Sequence, residues 1–118
     1  MQAVSRETLG ERHSVSRRRY RSGYRTEKAA RTATRIRDAA LDLVAAGNFR
    51  PSLHEVAARA GVGPGRVNAH YGYIHLLWRV LAREHTDEVA EAAGLPSSLS
   101  THARSRLVWL IMTGERRQ

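Results

Sequence analysis

Between Ser52 and Leu77 the chain reads S-L-H-E-V-A-A-R-A-G-V-G-P-G-R-V-N-A-H-Y-G-Y-I-H-L-L, and no other stretch restricts the backbone as tightly. Ser52, followed three residues later by Glu55, forms a capping box. Its hydroxyl can accept from the Glu55 N–H while the Glu55 carboxylate accepts from the Ser52 N–H. Leu53, Val56, Ala57 and Ala60 then share one face at helical spacing. Gly61 stands where a helix C-terminus favours a left-handed residue, and Pro64 where a first helical turn tolerates a missing N–H. The pattern predicts a helix over 53–60, a glycine-bearing turn and a second helix over 64–70. Val67 and Tyr71, four apart, turn one side of the second helix toward the core and leave Arg66, Asn68 and His70 outside. Two short helices joined in this way have the geometry of a helix-turn-helix, whose second helix enters the DNA major groove.

The flanking sequence supplies the support for that unit. From Thr26 to Ala46 no Gly or Pro intervenes, and Ile36, Ala39, Ala40, Leu43 and Val44 form the apolar stripe of a first helix that Gly47-Asn48 ends. A longer fourth helix is predicted from about Ile74 to Ala92, with Ile74, Leu77, Trp78, Leu81 and Val89 inward and Gly94 and Pro96 as its stop. Ser97-Ser98-Leu99-Ser100 reads as a linker. A last helix from about Ser100 to Thr113 groups Leu107, Val108, Leu110 and Ile111. The expected fold is all-α: a three-helix bundle containing the helix-turn-helix, closed by the fourth helix, with a short C-terminal helix.

Composition bounds the function classes. A chain of 118 residues fits one small domain, and its hydrophobic content of 42% can supply a core. There is no cysteine, which excludes disulfides and thiolate metal sites. The longest apolar stretch, Leu107 to Met112, falls well short of the ~18 residues of a membrane span, and the polar N-terminus reads as no secretory signal. A cytoplasmic, nucleoid-associated protein is the expectation. Of the net charge of +9, residues 1–37 carry eleven Arg/Lys against three Glu, or +8. Residues 1–25 therefore read as a basic, disordered arm suited to a polyanion, whose neutralised phosphates release counterions.

The segment closely resembles the DNA-binding domain of the tetracycline-repressor (TetR) family of bacterial transcriptional regulators. Ser52, Leu53, Val56-Ala57, Ala60-Gly61-Val62, Gly65, Val67, Tyr71 and Leu76-Leu77 match the family's run, and the helix from Ile36 to Gly47 is similar to the family's first helix. The likeness covers residues 34–81. It implies a DNA-binding domain over 26–94 and a function in transcription, with repression by blocking polymerase. Family members continue into a helical domain that binds effector and dimerises. Here 24 residues follow Gly94, too few for a ligand cavity of ~300–1,000 Å³. The expectation is therefore no effector pocket, with 95–118 a remnant of that domain. The apolar strip Leu107–Met112 is predicted either to form a homodimer or to dock on the first and fourth helices.

The expected partner is double-stranded DNA, and the expected contact set is Ser52, Gly65, Arg66, Asn68, His70 and Tyr71, with Arg17, Arg18 and Arg19 from the arm. Arg66 can donate two hydrogen bonds to guanine, and Asn68 can pair bidentately with adenine. The resemblance gives His70 a phosphate contact, and Val67 with Tyr71 seats the helix. Arg17, Arg18 and Arg19 meet phosphate or enter the minor groove. Four positions depart from the family: it commonly has a small residue where Arg66 stands and a phosphate-contacting Tyr where Asn68 stands, its phosphate-anchoring Lys is Ile74, and its Ser cap of the second helix is Gly63. No cofactor, metal site or catalytic residue is expected. The six histidines are scattered, and Gly61-Val62-Gly63-Pro64-Gly65 lacks the strand context of a phosphate loop. Two other classes fit the same residues: a degenerate regulator acting only as an interaction module, and a non-specific nucleic-acid binder driven by the arm.

Overall fold

The structure is a computed structural model that describes residues 25–115. Arg17, Arg18, Arg19 and the rest of residues 1–24 lie outside the described residues. The chain divides into two compact units, Met1–Thr32 and Ala33–Gln118. Of the first unit only 25–32 are described; they are helical, and the Thr32 hydroxyl donates to the Lys28 carbonyl at 3.0 Å.

The described residues are all-α, with no strand among them. Residues 25–45 form α1, followed by α2 (Leu53–Ala60), α3 (Pro64–Tyr71), α4 (Ile74–Glu84), α5 (Thr86–Ala92) and α6 (Thr101–Thr113). Within the second unit each helix sends its apolar stripe to one core: Ile36, Ala39, Ala40 and Val44 from α1, Val56, Ala57 and Ala60 from α2, and Val67 from α3. Leu77, Leu81 and Ala82 join from α4, Val89 and Ala90 from α5, and Val108 and Met112 from α6. Among the described residues, the ion pairs between carboxylates and arginines, Arg59–Asp42, Arg79–Glu115 and Arg104–Asp87, each involve a largely exposed carboxylate. Such pairs contribute ~0–1 kcal/mol each, so burial of the apolar stripes carries the stability.

Helix termini follow local chemistry. The capping box of α2 is complete: Ser52 N–H donates to the Glu55 carboxylate at 3.0 Å, and Glu55 N–H to the Ser52 hydroxyl at 3.1 Å. At the other end Gly61 is left-handed (φ 72°), and the Val62 N–H reaches back to the Ala57 carbonyl at 3.1 Å. That bond, five residues back, closes the α2 C-terminus as a Schellman turn.

Two expectations need correction. The predicted fourth helix is two helices, α4 and α5, broken at His85 (φ −128°, ψ 38°). No Gly or Pro marks the break. The Thr86 hydroxyl donates to the Ala82 carbonyl at 2.7 Å, a side-chain bond to the preceding turn that bends helices. The predicted grouping of Leu107, Val108, Leu110 and Ile111 also fails. Val108 and Met112, four apart, are buried where α6 packs on α4 and α5, while Leu107 and Leu110 are exposed. The helix is apolar on two sides, so its periodicity does not choose between them. Docking on the fourth helix thus describes Val108 and Met112 but not Leu107 and Leu110. The predicted linker before α6 is tied down as well, because Arg104 donates to the Ser97 and Leu99 carbonyls, each at 3.2 Å.

Candidate nucleic-acid interface

The pair α2–α3 is joined by Gly61, Val62 and Gly63, and three side-chain hydrogen bonds tie it to the neighbouring segments. Arg35 of α1 donates to the Ala60 carbonyl at 2.8 Å, clasping the last residue of α2. The Tyr71 phenol donates to the Ala33 carbonyl at 2.9 Å, tying the end of α3 to α1. Trp78 of α4 donates from its indole N–H to the Pro51 carbonyl at 2.9 Å, just before the α2 cap. Tyr71 is half-buried, and that burial pushes its phenol above the ordinary tyrosine range. Tyr71 is thus a structural anchor as well as a member of the expected contact set.

The α3 helix opens at Gly63, which is extended and makes no side-chain cap bond, with Pro64 at its first position. Val67 is fully buried. On a helix, residues two positions to either side of a buried one lie on its far side. Gly65 and Ala69 therefore form the outermost line of α3, and both are exposed. Arg66 and Asn68 flank Val67, are exposed, and make no side-chain bond to another described residue. His70, near the end of the same helix, is partly exposed. Ser52 is exposed, and its hydroxyl accepts the cap bond. The backbone N–H and the side chain of Ser52, together with the Asn48 amide, hold the Glu55 carboxyl below the ordinary range.

Charge is unevenly placed along this part of the chain. No Asp or Glu occurs between Glu55 and Glu84, whereas Arg59, Arg66, Arg79 and Arg83 all do, with His70 and His75. Arg59 and Arg79 spend their charge on Asp42 and Glu115. The Arg66 and Arg83 guanidinium groups are exposed, and neither pairs with a carboxylate among the described residues. The expectation placed nearly all the basic character in the arm; this acid-free run is a second contribution, readable from charge placement alone.

The sequence reading did not single out Tyr73 and His75. Their rings stack at a centroid distance of 5.5 Å with planes 6° apart, beside the end of α3. Tyr73 is 75% exposed and occupies the α4 N-cap, where it makes no capping bond. The only trace of this in sequence is an aromatic residue where a helix start prefers Ser, Thr, Asp or Asn. Ile74, which follows Tyr73, is partly buried and packs against the core.

Among the described residues no group of three His, Asp or Glu side chains could hold a metal ion, and no helix is long and apolar enough to cross a membrane. No protein-family model matches this chain, and no curated protein or solved structure matches it either.

Proposed function

We propose that this chain binds double-stranded DNA by laying α3 in the major groove, as the second helix of a helix-turn-helix, and regulates transcription as a TetR-type repressor. The observation that carries the reading is the division of α3. Val67 anchors the helix in the core, while Arg66 and Asn68 stand exposed on either side with their hydrogen-bonding groups uncommitted. A guanidinium matches guanine O6 and N7, and a carboxamide matches adenine N6 and N7. Gly65 lets the backbone approach closely. Ser52, His70 and the arginines of residues 1–25, Arg17, Arg18 and Arg19 among them, supply phosphate contacts that fix register. The homodimer belongs to the same proposal: Leu107 and Leu110 are exposed on the side of α6 away from Val108 and Met112, and a palindromic site would mirror two copies.

The experiment is selection of bound duplexes from a random pool at stated salt, with the full chain and with residues 1–25 removed. Enrichment of a defined sequence by both forms supports the reading. Arg66→Ala is then expected to cost ~1–3 kcal/mol and to relax preference at one base position. The placement of +8 of the +9 net charge in residues 1–37 favours one rival, a non-specific binder. Under that rival, removal of 1–25 abolishes binding while Arg66→Ala leaves it unchanged.

A further inference from the structure

We infer that Ala69 is a specificity-determining residue that selects thymine through its C5-methyl group. The inference rests on the reading of α3 as the helix that enters the major groove, and it names a contact that reading leaves out. Ala69 lies on the side of α3 opposite the fully buried Val67, and it is exposed. One turn earlier on the same line is Gly65, where an added β-carbon would meet nothing within 4 Å. The line of α3 that comes nearest the base edges therefore carries a single methyl group and no longer side chain to hold the helix away. Arg66 and Asn68 project to either side, toward hydrogen-bonding edges. Ala69 has no donor or acceptor in its side chain, so the partner it can favour is an apolar group. On the major-groove edges of the four bases, only thymine presents one.

The test uses the duplex selected above, with each thymine replaced in turn by uracil, which pairs identically and lacks only the methyl group. One replacement is expected to weaken binding by the wild-type chain about fourfold, the effect of withdrawing one buried methyl group. Ala69→Gly is expected to bind the thymine and uracil duplexes equally. Glycine weakens a helix, so Ala69→Ser is run beside it, and thermal melting verifies that each variant is folded at the assay temperature. Serine sets a hydroxyl on the same line and should also shrink the thymine-to-uracil ratio. The inference is overturned if no thymine is methyl-sensitive, or if one is and its sensitivity survives in both variants. A wild-type chain that enriches no duplex at all overturns the DNA reading itself, and this contact falls with it.

Discussion

Gly65→Ala separates folding from binding. Gly65 is the second residue of α3, its φ is negative, and a β-carbon built there meets no atom within 4 Å. Nothing in the folded chain requires glycine at this position. Alanine narrows the conformations open to the unfolded chain without straining the native one, a gain of ~0.4–1 kcal/mol. For a domain of this size that corresponds to a melting midpoint higher by about 2–8 °C. Binding should move the other way. The empty space over Gly65 is where the proposed duplex lies, and a methylene forced into a close-packed contact costs ~1–3 kcal/mol, about a 5- to 150-fold loss of affinity. The assays are thermal denaturation of the full chain and titration with the selected duplex at one fixed salt concentration, since affinity varies steeply with salt. A variant that is more stable and binds DNA unchanged would refute the close approach at Gly65. A variant that is less stable would refute the backbone argument from which the rest is built.

Gly61→Ala should behave oppositely in the stability assay. Its φ is +72°, and the new β-carbon would stand 3.3 Å from the Arg35 guanidinium that holds the Ala60 carbonyl. A loss of ~1–2 kcal/mol in urea denaturation is expected, and an unchanged midpoint would count against the left-handed turn. Tyr71→Phe removes the donor to Ala33 and should cost ~0.5–1.5 kcal/mol in the same experiment. The Glu55 carboxyl, held low by Ser52 and Asn48, sets a pH dependence. A depressed carboxyl stabilises fully above its unfolded pKa, and that contribution is lost as pH falls through the folded value. Unfolding curves taken from neutral to acid pH should therefore show Glu55→Gln with a flatter acid limb than wild type, because glutamine keeps the reciprocal cap bond without titrating.

Which parts of this molecule the sequence made legible follows from the range of the interactions involved. The bounds of α2 came from contacts spanning a few residues: Ser52 with Glu55, and Gly61 with Val62. The start of α3 at Pro64 followed from proline's own covalent geometry. Such signals lie within one window of the chain and survive any tertiary arrangement. The break at His85 is not readable, because no Gly or Pro marks it and the apolar spacing from Ile74 to Val89 runs straight through it. The two faces of α6 were not readable for a different reason. Leu107 with Leu110 and Val108 with Met112 are equally good stripes, and only packing on α4 and α5 decides between them. At the proposed interface the same division holds. Arg66 and Asn68 are legible as candidates because their chemistry is in their side chains, and the acid-free run from 56 to 83 is legible because charge can be counted along the chain. Ala69 and the Tyr73–His75 stack are not legible in the sequence because what they offer is position. A methyl group and an exposed ring pair acquire meaning only once burial of Val67 fixes which side of α3 faces outward.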